Sequence, residues 1–408
     1  MDRPRLRLVV VLAVLPVLAS CIPLFGQRDD SPDEEAPDDT VTYTLTVTIE
    51  GEGMVTITPE KAVYSSGELI TLEAVPNEDH FLAHWGGDAE GWLQNPLSLA
   101  IDGNRAVTAV FSPDLWSEAP GTAGWSARDR HAAASFDGQL WILGGMDNGD
   151  LNDVWSSSDG ETWTQVSPVG ETWSARAGHA AVVHDPAGGD APDIWVIGGA
   201  YLRDAWRSSD GAVWTEVTEA AEWSPRTEFL ALSHDGKLWV MGGYDGYGPL
   251  NDIWSSTDGV TWTPVTPTDG VWSPRRGHAG VVYDGKLWVI GGVGEDGPLS
   301  DVWYSEDGES WEQATADTGW PVRSGHAAAV HDGRIWVIGG HHYDGLQRYR
   351  DVWSSSDGVT WTAEPHGRWS PRSGHRALSR DNRLWMIGGV EEVMTKTNDV
   401  WYLETTEE

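Results

Sequence analysis

Residues 320–363 read WPVRSGHAAAVHDGRIWVIGGHHYDGLQRYRDVWSSSDGVTWTA, and the four tryptophans in that stretch decide the fold. Trp320 opens the unit, Trp336 precedes a glycine pair, Trp353 follows Asp351-Val352, and Trp361 follows an Asp-Gly turn. Each position recurs along the chain. The first register is Trp125, Trp173, Trp223, Trp272, Trp320 and Trp369, at spacings of 48, 50, 49, 48 and 49 residues. The second is Trp141, Trp195, Trp239, Trp288, Trp336 and Trp385, and the third is Trp155, Trp206, Trp254, Trp303, Trp353 and Trp401. The fourth has five members inside the repeats, Trp163, Trp214, Trp262, Trp311 and Trp361; its sixth is Trp116, nine residues before Trp125 as Trp214 is nine before Trp223. Twenty-four of the 26 tryptophans are thereby placed. A period near 50 residues with four strand-like segments is the signature of a β-propeller, each repeat being one four-stranded blade. The expected fold is all-β, a six-bladed propeller preceded by a small β-rich module.

In the fifth unit, residues 326–331 read as strand a, 334–338 as b, 351–355 as c and 360–363 as d. Asp332-Gly333 and Asp357-Gly358 punctuate the hairpins, because Asp-Gly readily takes the positive φ of tight turns. Each buried indole removes roughly 150–250 Å² from water, so the repeated tryptophans read as packing between blades.

The Arg-x-Gly-His start at Arg323 to His326, the strand closing in Gly339-Gly340, Asp351-Val352-Trp353 and Thr360-Trp361 together resemble the kelch repeat, across residues 114 to 408. The resemblance implies that strand a lines a central channel, that strand d lies outermost, and that partners dock on the face shared by the d–a and b–c loops. It places the propeller at residues 113–408. The closing blade draws a, b and c from residues 369–405 and d from residues 114–119.

Before the propeller, residues 1–20 read as an export signal: Arg3, Arg5 and Arg7 precede an apolar run too short to span a bilayer. The run ends in Leu18-Ala19-Ser20-Cys21, which resembles a bacterial lipobox and makes Cys21, the only cysteine, the expected lipidation site. A lipid-anchored, extracytoplasmic lipoprotein follows, and Ile22 after the cysteine points to the outer membrane or cell surface. Residues 21–40 form an acidic tether too poor in apolar side chains to fold. Residues 41–112 alternate in strand fashion and resemble the divergent internalin-B-type repeat, through Gly51-Glu52-Gly53, His84 to Asp88, Asn95-Pro96-Leu97 and Val107 to Phe111. That resemblance implies a spacer or adhesive module.

Composition excludes one partner class. A formal charge of −37 with four lysines cannot supply the basic footprint that nucleic acid demands. No cofactor and no metal are expected. A kelch-type copper radical oxidase would need a cysteine cross-linked to tyrosine, and Cys21 lies in the signal region. Arg128, Arg176, Arg226, Arg275, Arg323 and Arg372 share one register, as a structural ion pair repeated by symmetry would require. His131, His179, His278, His326 and His375 repeat one per blade, whereas a metal needs converging ligands. The segment His341-His342-Tyr343-Asp344 is the best local metal candidate, with a solvated loop as the plainer reading.

Function is expected where the repeats stop agreeing. The b–c loops differ in every unit, and the third breaks the Arg-x-Gly-His pattern with Thr227-Glu228-Phe229. Surface loops on a rigid scaffold are where binding residues concentrate. Glu228, Tyr244, Tyr247, His341, His342, Tyr343 and Tyr349 would line an acidic, aromatic mouth suited to a sugar or a cationic peptide; loop drift without a ligand is the competing account. The chain reads as a lipid-anchored binding or cell-surface interaction protein whose partner is a protein or a carbohydrate. The enzymatic alternative is a periplasmic sugar mutarotase of the sialic-acid mutarotase type, also six-bladed kelch folds, with Glu228 as an acid/base residue.

Overall fold

The computed structural model describes residues 41–89, 92, 94–121, 123–185, 191–342 and 347–405. The signal and tether segments with Cys21, and the loop residue Tyr343, lie outside them. The chain divides into two units, Met1–Asp114 and Leu115–Glu408.

In the first unit, alternating apolar residues build two three-stranded sheets. One runs Leu45–Glu50, Arg105–Pro113, His80–Gly87, its first pair parallel; the other runs Gly53–Thr58, Glu68–Pro76, Leu97–Ile101. The inward residues Ile70, Leu72, Trp85, Leu97, Ile101 and Phe111 form one core, while Met54 and Leu69 on the alternate positions stay exposed.

The second unit is six antiparallel sheets, one per repeat. Blade 1 comprises strand a Ala132–Phe136, b Gln139–Met146, c Asp150–Ser157 and d Thr164–Val166, and blades 2 to 5 repeat that order. Blade 6 takes a from Arg376–Arg380, b from Arg383–Glu391 and c from Lys396–Glu404. Its fourth strand is Trp116–Glu118, in register as Trp401↔Glu118, Tyr402↔Ser117 and Leu403↔Trp116. Trp116 is buried edge-on against Trp369 at 4.8 Å, and its indole N–H donates to the Pro365 carbonyl at 3.1 Å. The last blade is thus completed by the first strand of the unit, which leaves no open sheet edge at the seam.

Two local devices explain the repeating residues. Each register arginine is a fully or almost fully buried clamp: its guanidinium grips the c-strand aspartate (153, 204, 252, 301, 351, 399) at 2.5–2.7 Å and donates to the carbonyl of the first glycine of the pair. The third-register tryptophan donates its indole N–H to the same aspartate. A bidentate pair inside a low-dielectric interior is orienting as well as attractive, so strands b and c are locked in one register six times. The glycine pair itself is a bulge. Gly144 and Gly145 take φ of +53° and +98°, and a Cβ on Gly145 would sit 2.6 Å from that of His131. Because a bulge bends a strand without ending its pairing, strand b of blade 5 runs on to His341, beyond the expected end at residue 338.

Blades meet through tryptophan. Five of the second-register indoles lie over the Asp-Gly turn of the following blade, as Trp141 on Gly211 and Trp195 on Gly259, where any Cβ would collide with the ring; blade 6, whose strand d comes from Trp116–Glu118, offers no such turn to Trp336. In the turn beneath Trp141, Asp210 accepts from the N–H groups of Ala212 and Val213, which shapes the loop to receive the indole.

Candidate functional site

At the entry to each strand a, the third residue of the Arg-x-Gly-His motif carries a left-handed backbone. These six residues are Arg130, Gly178, Glu228, Gly277, Gly325 and Gly374, with φ between +52° and +66°. That conformation turns each N–H toward the neighbouring blade. Gly178 donates to Arg130, Glu228 to Gly178, Gly277 to Glu228, Gly325 to Gly277, Gly374 to Gly325 and Arg130 to Gly374, all at 2.8–3.0 Å. A closed girdle of backbone hydrogen bonds therefore encircles the channel, one bond per blade boundary.

Glycine is the residue that takes this φ without a Cβ penalty, yet two blades use long charged side chains instead. An ordinary side chain held left-handed costs of order 1–3 kcal/mol. Arg130 and Glu228 project into the same opening. The Glu228 carboxylate lies 3.8 Å from Arg130 and 3.5 Å from Arg276. Arg130 also contacts Asp129 at 3.3 Å, and Lys396 reaches Asp129 at 3.1 Å. A chain of alternating charges thus runs across the mouth, from blade 6 through blade 1 to blades 3 and 4.

A third departure lies two residues further on, past the histidine column. Strand a begins with Ala132, Ala180, Leu230, Ala279 and Ala327 in five blades and with Arg376 in the sixth. Burial pulls the Arg376 guanidinium down to about 10, with Asp129 and Glu228 opposing the shift. Its charge also disfavours protonation of His131, His179 and His375, in blades 1, 2 and 6, and its side chain lines the channel mouth.

Asp129, Arg130, Glu228, Arg276 and Arg376 line a cavity of about 510 Å³, within the range of small-molecule sites. Arg130, Arg276, Arg348 and Arg376 stand on its wall against Asp129 and Glu228. The mouth is therefore rich in arginine, where an acidic, aromatic opening was expected from Glu228 and the loop residues. A second carboxylate also breaks the sixfold pattern: Asp129 stands where the other blades have Ala177, Thr227, Arg276, Ser324 and Ser373.

The candidates named from sequence are dispersed. Glu228 and His341 line the cavity, and the His341 ring lies 3.1 Å from the Ser324 hydroxyl. Tyr244 stands at the rim with Arg276 stacked on its ring at 4.7 Å. Tyr247 is 97% exposed and reaches nothing in the cavity. Tyr349 packs beneath the structural Arg323, 4.9 Å from ring centroid to guanidinium, so it belongs to a clamp rather than to the mouth. His342 hydrogen-bonds through its backbone to Gln347 beside the loop, and Tyr343 is outside the described residues. The five register histidines are buried neutral rings below the girdle, each held well below the ordinary imidazole range by burial. Among the described residues, no cluster of His, Cys, Asp or Glu is placed to hold a metal ion.

Residues 193–340, from strand b of blade 2 to strand b of blade 5, match the family described as the KLHDC2/KLHL20/DRC7 Kelch-repeats domain. The ring is a kelch-repeat propeller. Residues 43–115 match the Divergent InlB B-repeat domain. Beta-scruin of Limulus polyphemus is 32% identical over 133 residues, 28% of this chain and 13% of that protein. Multiple epidermal growth factor-like domains protein 8 of Mus musculus is 34% identical over 139 residues, 30% of this chain and 5% of that protein. The likeness thus spans a small part of both relatives. The solved structure of YjhT superposes with a TM-score of 0.58 at 14% identity, covering 70% of this chain and 97% of that one, a likeness of fold.

Proposed function

We propose that the protein is a membrane-anchored, extracytoplasmic binding protein whose kelch propeller seats a small polar ligand, a saccharide for preference, in its channel mouth. The supporting observation is convergence: Arg130, Glu228 and Arg376, three departures from a sixfold pattern at energetic cost, face one cavity of about 510 Å³. The anchor rests on the sequence Leu18-Ala19-Ser20-Cys21, and the sheets of residues 45–113 act as a spacer. The test is a glycan array read with the purified protein, wild type against Glu228→Gln and Tyr244→Ala. Binding should weaken in both variants, whereas binding that is unchanged in both, or that maps to residues 41–114, would refute the reading.

A second reading is favoured by the placement of Glu228 between two guanidinium groups. In mutarotation, a carboxylate takes the proton of the anomeric hydroxyl while a cation stabilises the ring oxygen as the ring opens. Glu228 with Arg130 or Arg276 is such a pair. Accelerated anomer exchange by NMR, lost in Glu228→Gln, would establish it; no acceleration of any sugar leaves the binding role.

A further inference from the structure

The cations of the mouth are not equivalent. Arg130 and Arg276 each contact Glu228, and Arg130 has Asp129 as well. Arg376 has no carboxylate at ion-pair distance among the described residues; its guanidinium donates to the carbonyl of His375 at 3.2 Å. A guanidinium has five N–H donors in a planar fork, and holding one half-buried, as Arg376 is, without an anion is unfavourable. Alanine, which holds this register in four other blades, would remove that cost altogether. The strand does not need the charge: Arg376 pairs with Ile387 in the register that Ala132 keeps with Leu143 and Ala327 with Ile338.

From this geometry we infer that Arg376 is the anchor for the carboxylate of a small anionic ligand, received in the plane of its guanidinium at the channel mouth. The inference rests on the channel mouth being the binding site and names the chemistry of what enters it. Planar, bidentate recognition of a carboxylate is what arginine supplies and lysine does not. Glu228 has a complementary part. By occupying Arg130 and Arg276 it keeps the outer guanidiniums from competing for the same anion, so the carboxylate is drawn inward and the rest of the ligand lies at the rim beside Tyr244.

The experiment compares D-glucuronate with its neutral methyl ester by calorimetry and by thermal melting, for wild type, Arg376→Ala and Arg376→Lys. Arg376→Ala restores the residue of four sister blades, so it should fold and, without ligand, melt no lower than wild type. Wild type should prefer the acid to the ester. Arg376→Ala should lose roughly tenfold or more in affinity for the acid, the contribution of one charge-assisted pair, and Arg376→Lys should recover part of it. A ligand-free Arg376→Ala that melts well below wild type would make Arg376 a structural residue and overturn the inference. So would a wild type that does not prefer the acid, or an Arg376→Ala that binds it as wild type does. The channel-mouth reading would survive those results and falls only if neutral saccharides also fail to engage the mouth.

Discussion

Replacing His278 by phenylalanine isolates what one buried histidine does to acid stability. His278 starts its strand under the girdle, 5.7 Å from the Trp272 ring and tilted by 38°. Blade 3 already carries phenylalanine at this register: Phe229 lies 6.2 Å from Trp223, tilted by 39°. The substitution is thus one that the fold itself accepts. Burial first, and Arg275 second, lower His278 from 6.5 to about 3, against smaller opposing effects of the Met241 carbonyl and Asp301. The folded state therefore stays neutral where the unfolded chain takes up a proton. Stability is full above the unfolded value of 6.5 and declines as the pH falls from there toward about 3. At about pH 5 the gap is about 1.5 pH units, so wild type loses about 2 kcal/mol at this one site relative to about pH 7. Urea unfolding followed by tryptophan fluorescence at the two pH values gives the loss for each protein, and carboxylates common to both cancel in the difference. His278→Phe should lose about 2 kcal/mol less than wild type, with little change at neutral pH. Equal losses in the two proteins would show that the imidazole is protonated in the fold and refute the reasoning. His375, also lowered to about 3, should behave alike, and a double variant should roughly double the effect.

Three further outcomes are expected. A chain beginning at Pro113 should keep the propeller, whereas one beginning at Glu118 loses Trp116 and two pairs of the closing strand and should be less stable by about 3–5 kcal/mol, the usual cost of deleting a buried tryptophan, as read by thermal melting and solubility. Arg275→Met leaves Asp301 facing only the Trp303 indole and should destabilise by about 3 kcal/mol in a urea titration. Cys21→Ala should abolish metabolic lipid labelling and move the protein from the membrane fraction to the soluble one; an unchanged distribution would count against the anchor.

The architecture was legible because its signals are periodic and local. Six tryptophans at one spacing, or six arginines answered by six aspartates, average away the noise of any single position, and their packing partners are themselves repeated. The mouth was harder for two reasons. Net charge is a sum over the chain and says nothing of where four arginines gather, and the opening expected to be acidic from Glu228 and the loop residues is where Arg130, Arg276, Arg348 and Arg376 also stand. Departures were also sought mainly in the long loops, where Tyr247 points to solvent and Tyr349 serves a clamp. The comparison that exposed Glu228 in blade 3 carries the remaining signal. Set against the glycines of blades 2, 4, 5 and 6, Arg130 is the same kind of exception, and Arg376 stands out against alanine two columns on. What no column of residues reveals is that these three side chains meet, because that depends on the girdle drawing six strand entries to one axis.

The seam strand has a mechanical consequence. Residue 114 ends one unit and residue 115 begins the other, and Trp116–Glu118 is the strand that closes the propeller. Any pull transmitted along the chain from residues 41–114 reaches this strand before any other part of the propeller. It is held by three register pairs and one buried indole, against five to seven pairs for each b–c hairpin. Force-induced failure is governed by the barrier to the first rupture rather than by total stability. The rupture force of the whole propeller is therefore set at its seam, and tension there would open it at blade 6, next to the side of the channel from which Arg376 projects.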